Sequence, residues 1–254
     1  MLVACAPVKH SAPPFDIAPP VPERQFDNYL HQSIYEDLNY ERSYTETPDD
    51  TRSFDATCYI LDSDKDLVGT GTLINEDIVL TAAHVAKHTD NGFIVFTKNG
   101  DPILIEDTWM QPEWGLAPDG MHDIALLKLS CYVDDVDPLP LAAKKTEIDR
   151  YLSNISTIGC SLGYKKQSRF NKIFYYGTLT SNPSELKLRS TVTSIWFGDS
   201  GGPVVLFQPD GSGLLIGVMV RFTLYQGDIM DFSATDVRQY VGELESVIAG
   251  WEAD

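Results

Sequence analysis

Three short segments of this chain carry residue types that could do covalent chemistry. Gly198-Asp199-Ser200-Gly201-Gly202-Pro203 sets a serine hydroxyl among glycines, between two apolar runs. Glycine reaches positive φ without steric cost, so the peptide N–H groups around Ser200 can converge on one point and stabilise a developing oxyanion. At average residue frequencies, chance produces this hexapeptide in a chain of this length on the order of 10⁻⁵ of the time. A serine hydroxyl is a poor nucleophile unless a base removes its proton. Among His10, His31, His84, His88 and His122, the best placed is His84 in Thr81-Ala82-Ala83-His84. It follows the apolar run DIVL, and the small residues before it let the backbone turn and present the imidazole. A base in turn needs a carboxylate to fix its tautomer. Asp123 opens the apolar segment Asp123-Ile-Ala-Leu-Leu-Lys-Leu129. Alone, His84 reads as a strand-end histidine and Asp123 as a cap on a strand entrance. Together with Ser200 they occur in the order His, Asp, Ser, each beside an apolar strand.

The elements that must position them are short. From Phe54 onward, apolar runs alternate with Gly, Asp, Asn and Pro. Strands are predicted at 56–61, 68–74, 77–80, 92–96, 102–105, 124–129, 155–159, 173–179, 203–207 and 214–222. Almost no helical period lies between them, which indicates a sandwich or barrels. The C-terminus is the exception. Val237, Tyr240, Val241, Leu244, Val247, Ile248 and Trp251 recur at steps of three and four, the stripe of a helix packed by one face.

Composition narrows the function classes. The 254 residues are 43% hydrophobic and 22% charged, ordinary for a chain with a sizeable core. A net charge of −18 argues against nucleic acid as a partner, because phosphate backbones are bound by basic patches. No apolar run approaches the roughly 18 residues of a membrane span. Leu2-Val3-Ala4-Cys5 either resembles a bacterial lipobox, with Cys5 as the lipidated residue, or is a chance four-residue match. Prolines at 7, 13, 14, 19, 20 and 22 then favour extended chain, and residues 26–38 carry a modest amphipathic signal. Residues 1–51 are expected to be a leader, tether or pro-segment, and residues 52–254 the folded domain. Of Cys5, Cys58, Cys131 and Cys160, three lie in apolar segments and read as buried thiols; one bridge is compatible with the count.

TAAH, DIALLKL and GDSGGP resemble the three signature segments of the chymotrypsin/trypsin-like serine peptidases, over roughly residues 52–254. GTGTLINEDIVLTAAH resembles the strand pair leading into the family's histidine. Gln111-Pro112-Glu113-Trp114 sits where that family often has a proline and an aromatic. The resemblance implies two six-stranded antiparallel β-barrels with the active site in the cleft between them, and a C-terminal helix. It also implies Ser200 as nucleophile, His84 as general base and then acid, Asp123 as the orienting carboxylate, and the N–H groups of Gly198 and Ser200 as the oxyanion hole. The reaction is peptide hydrolysis through an acyl-enzyme, with no metal and no organic cofactor.

Departures from the family pattern bear on branch and specificity. Val85 follows the histidine and Trp196 lies four residues before the serine, where animal members have cysteines, so the chain looks more like the bacterial branch. By the family's spacing the floor of the primary pocket is Ser194, which does not select Lys or Arg. Its wall includes Val220, Arg221 and Phe222. Phe222 replaces a common glycine and narrows the pocket toward small side chains. Arg221 reads as an attractor of acidic substrate groups or as a solvated surface arginine. Val220 stands where many members place a serine that supports the aspartate. Zymogen members pair a new amino terminus with the residue that is Asp199 here, yet the chain has no Ile-Val-Gly-Gly start. The expectation is a monomeric serine endopeptidase acting on protein or peptide substrates, secreted, periplasmic or lipid-anchored at the cell envelope. Its rivals are a non-catalytic binding protein on the same fold and a locked zymogen.

Overall fold

In the computed structural model the described residues are 55–96, 101–116, 121–148, 155–159, 169–178, 184–190, 198–208, 210–224 and 230–253. The expectations for the leader, Cys5 and Ser194 lie outside them, as does the side chain of Phe222.

The first half is a closed barrel. Its strands are β1 (Thr57–Leu61), β2 (Leu67–Asn75), β3 (Ile78–Thr81), β4 (Phe93–Phe96), β5 (Pro102–Met110) and β6 (Ala125–Leu129), in the spatial order β1-β2-β3-β6-β5-β4. All neighbours are antiparallel. A closed ring leaves no unpaired edge, and every strand can turn one face inward. Cys58, Ile60, Leu73, Ile94, Phe96, Leu126 and Leu129 are fully buried in the resulting core.

The second half forms another antiparallel sheet. Its strands are β7 (Ile155–Gly159), β8 (Arg169–Thr178), β9 (Glu185–Ser190), β10 (Pro203–Phe207), β11 (Gly213–Leu224) and β12 (Met230–Asp236). They pair in the order β10-β11-β12-β9-β8-β7, and β7 pairs back with β10. Leu186, Leu188, Val204, Ile216, Phe232 and Ala234 make its buried centre. Two of these strands carry too little apolar signal to be predicted from sequence. Strands β9 and β12 alternate single apolar residues with polar ones, and among the described side chains Leu186, Leu188, Phe232 and Ala234 are the buried apolar ones. Strand β5 also extends past the predicted 102–105, because its outer half bears Glu106 and Asp107.

The predicted C-terminal helix begins later than its stripe suggested. Ala234–Asp236 finish β12, Val237–Gln239 form a 3₁₀ turn, and an α-helix runs over Val241–Ala253. Asp236 ends the strand: its carboxylate accepts the Arg238 backbone N–H at 3.1 Å and pairs with the Arg238 guanidinium at 2.8 and 2.7 Å. Leu244 is buried against the first barrel, with Val247, Ile248 and Trp251 beside it. The Trp251 indole donates to Asp107 at 2.9 Å, and Lys128 donates to the Trp251 carbonyl at 3.2 Å. The helix thus ties the end of the second sheet to the first barrel. Cys131 is disulfide-bonded, whereas Cys58 is buried and outside any disulfide.

Candidate active site

Strand β3 delivers the histidine. It ends at Thr81, Ala82 is still extended (φ −84°, ψ 144°), and a single helical turn, α1 (Ala83–Ala86), follows. Ala82 and Ala83 are fully buried, so larger residues would not fit where the chain enters the turn. His84 projects from this turn with its side chain 32% exposed, while the Asp123 side chain is 8% exposed. Asp123 meets His84 twice. Its Oδ1 accepts the His84 backbone N–H at 2.9 Å, and its Oδ2 lies 2.6 Å from Nδ1. A carboxylate accepting at Nδ1 fixes the tautomer whose Nε2 is the basic lone pair. The Asp123 carbonyl is held from the other side, accepting the Thr235 hydroxyl at 2.9 Å.

The serine turn comes from the second sheet. Gly198 (φ +94°) and Gly201 (φ +83°) both occupy the left-handed region that favours glycine. Gly198 and Asp199 are buried, and Ser200 is partly exposed. The turn is fastened to β11: Gly201 N–H donates to the Met219 carbonyl at 2.7 Å, and Met219 N–H donates to the Gly202 carbonyl at 2.9 Å.

One residue of the first barrel then receives this turn. Thr70 on β2 donates its backbone N–H to the Ser200 carbonyl at 2.8 Å and its hydroxyl to the Gly198 carbonyl at 2.6 Å. The Thr70 carbonyl accepts the Thr81 hydroxyl at 2.8 Å, three residues before His84. A Cβ on Gly201 would come within 2.1 Å of both the Thr70 carbonyl and the Thr81 hydroxyl. On Gly69 it would meet Val85 at 2.6 Å and the Ser200 carbonyl at 3.0 Å. The glycines of GTGTL and GDSGGP therefore let the serine turn, β2 and the histidine turn approach as close as backbone allows. Sequence reasoning missed Thr70, Thr81 and Thr235. For Thr70 and Thr81 the available signal was a threonine within an otherwise apolar strand; Thr235, on a strand of mixed polarity, gave none.

Around this core, His88 is pulled below the usual imidazole range by burial, then by the neighbouring Lys87 and His84, which favours a neutral ring beside the base. Among the pocket-wall residues, Val220 is partly buried against the first-barrel core. Neither oxygen of Asp123 depends on that position, since His84 supplies both carboxylate contacts. Arg221 is not simply solvated. Its Nε and one terminal nitrogen each donate to the buried Glu185 carboxylate at 2.7 Å, and Nε also approaches the Ser233 hydroxyl at 3.2 Å. No cluster of potential metal ligands occurs among the described residues.

The arrangement offers an imidazole with a fixed tautomer, a serine on a turn that carries two left-handed glycines, and stitching that holds the two turns together. A family model described as a trypsin-like peptidase domain matches residues 69–218, more than half the chain and the span that holds His84, Asp123 and Ser200. No curated protein matches the chain.

Proposed function

Because the chain belongs to the trypsin-like peptidase domain family, a protease-type family, we propose that it is an active serine endopeptidase of the bacterial type. In this reading, Ser200 Oγ attacks the scissile carbonyl while His84 Nε2 takes its proton. Asp123 stabilises the resulting imidazolium, and the N–H groups of Gly198 and Ser200 bind the tetrahedral oxyanion. The imidazolium gives its proton to the leaving amine, which departs and leaves an acyl-enzyme. Water, deprotonated by the same His84, then releases the acid and restores the serine. No metal or organic cofactor takes part.

The observation that carries this reading is the double contact of Asp123 on His84, at 2.9 and 2.6 Å, in a turn that Thr81 and Thr70 tie to the Ser200 carbonyl. Non-catalytic descendants of an enzyme have no need to preserve such a set. Strand order supports two six-stranded barrels with the site in the cleft between them. The folded domain is assigned to residues 52–254, with residues 1–51 as leader or tether. The disulfide at Cys131 supports an oxidising compartment, and so an exported protein, secreted or held at the envelope; it is assigned as a monomer. With Ser194 assigned to the pocket floor and Val220, Arg221 and Phe222 to its wall, no acidic residue stands at the floor to select Lys or Arg, so the specificity is assigned to other residues.

Incubation with a peptide library, read by mass spectrometry, tests this function. The expected result is cleavage at non-basic positions that disappears in Ser200→Ala. A library left intact by the full chain and by a form starting near Ser43 would sink the reading in favour of a binding protein.

A further inference from the structure

Both oxygens of the Asp123 carboxylate are given to His84, and among the described residues no other side chain steadies that carboxylate. Its orientation is therefore set by the backbone that carries it. That backbone turns sharply at the preceding residue. His122 has φ +60°, a region that non-glycine residues rarely adopt, and its carbonyl accepts the Ile124 N–H at 2.9 Å.

The His122 ring spans two elements remote from its own. Nδ1 lies 2.8 Å from the Tyr240 hydroxyl, and Nε2 lies 3.3 Å from the Glu113 carboxylate. Tyr240 is buried, and its hydroxyl is also hydrogen-bonded to the Ser184 side chain. The donors run in one direction. A carboxylate, which can only accept, facing Nε2 at 3.3 Å favours the tautomer protonated there; in that tautomer Nδ1 accepts the Tyr240 proton, and the Tyr240 oxygen is left to accept from Ser184. The Ser184 carbonyl accepts Asp236 N–H at 2.7 Å, next to Thr235, which returns to the Asp123 carbonyl at 2.9 Å. The circuit begins and ends at Asp123.

We infer that His122 is a positioning residue: its imidazole fastens the Asp123 turn to Tyr240 and so holds the carboxylate in register with His84. The inference rests on the serine-peptidase reading of the site. It concerns Nδ1 more than Nε2, because Glu113 sits on an exposed turn whereas Tyr240 is buried. Asparagine also tolerates left-handed backbone and places its amide oxygen near the position of Nδ1, so His122→Asn should preserve the contact. Glycine accepts the backbone conformation and removes the ring.

The test is labelling of the full chain by a fluorophosphonate, resolved into the maximal rate kinact and the half-saturation constant KI, with Tm measured on each variant. His122→Gly and Tyr240→Phe are expected to lower kinact about tenfold to a hundredfold, with KI within about twofold, well short of the ~10⁴-fold loss of a missing carboxylate. His122→Asn is expected to stay within about threefold of the unsubstituted chain. If His122→Gly does not fold, Tyr240→Phe carries the test, since it removes one oxygen. Unchanged kinact in folded Tyr240→Phe, or equal losses in His122→Asn and His122→Gly, would overturn the positioning role. An unsubstituted chain that does not label would overturn the peptidase reading itself.

Discussion

Replacing Thr70 by valine removes one hydroxyl and tests whether β2 holds the serine turn. The side chain keeps its shape, but the Gly198 carbonyl loses its 2.6 Å donor in a fully buried position. Leaving a buried acceptor unsatisfied costs about 1–3 kcal/mol, compared with about 1 kcal/mol for an average intramolecular hydrogen bond. In a domain of this size each kcal/mol lowers Tm by about 2–4 °C. The same carbonyl belongs to the peptide chain that carries the proposed oxyanion donors. Outright loss of one such donor costs about 10²–10³ in rate, so a turn that is displaced while keeping both should cost about tenfold to a hundredfold. Thr70→Ser is the control. It loses a methyl group, worth about 1 kcal/mol of stability, yet keeps the hydroxyl. Stability alone does not separate the two variants; the rate does. Fluorophosphonate labelling should be slowed in Thr70→Val and near normal in Thr70→Ser, with urea midpoints lowered in both. Equal labelling rates in the two variants would refute the argument that this hydroxyl holds the serine turn.

Other consequences follow from the same contacts. Gly201→Ala places a methyl within 2.1 Å of the Thr70 carbonyl and strains a residue at φ +83°, so labelling should fall at least about a hundredfold, without recovery at higher probe concentration. The Arg221–Glu185 pair should respond asymmetrically in urea denaturation. Arg221→Met leaves a carboxylate that is only 3% exposed without its guanidinium and should approach the ~3–5 kcal/mol of a broken buried pair, whereas Glu185→Gln frees a guanidinium already 40% exposed and should cost about 1 kcal/mol. Asp77 is held above the usual carboxylate range chiefly by burial, partly offset by Lys128. A raised folded-state pKa means the native state binds the proton more tightly, so this stabilising contribution is full below the ordinary Asp pKa and is lost as pH rises through the raised one. Asp77→Asn should therefore raise Tm at neutral pH, and the advantage should vanish on acidification; a lower Tm at pH 7 would mean that attraction to Lys128 outweighs burial.

How much was legible in the sequence depended on how apolar each element is. Strands such as IVLT and ALLKL are nearly all buried and announce themselves. Strands β9 and β12 hide, because their apolar residues come singly between polar ones, as in Leu186 and Leu188 or Phe232 and Ala234. The stripe from Val237 to Trp251 was real, but its first residues belong to a 3₁₀ turn, since Asp236 and Arg238 close the strand before the helix can start. His84, Asp123 and Ser200 could be proposed from sequence because the chemistry restricts which residue types can do it, and the fold brings His84 and Asp123 into contact. The roles of Thr70, Thr81, Thr235 and His122 could not. A buried hydroxyl in a strand reads as an ordinary β-former, and the partners of these residues lie up to 128 positions away. The Arg221–Glu185 pair was invisible for the same reason: two strands apart in sequence, their contact exists only once β11, β12 and β9 are aligned.

The central claim is that Ser200 is activated by His84 within this turn. The most direct measurement is fluorophosphonate labelling of the full chain, with the modified residue located by mass spectrometry and with Ser200→Ala and His84→Ala alongside. The prediction is a single adduct on Ser200 that is absent in Ser200→Ala and slowed by several orders of magnitude in His84→Ala. An adduct on another serine, or labelling of Ser200 that proceeds equally well without His84, would contradict it.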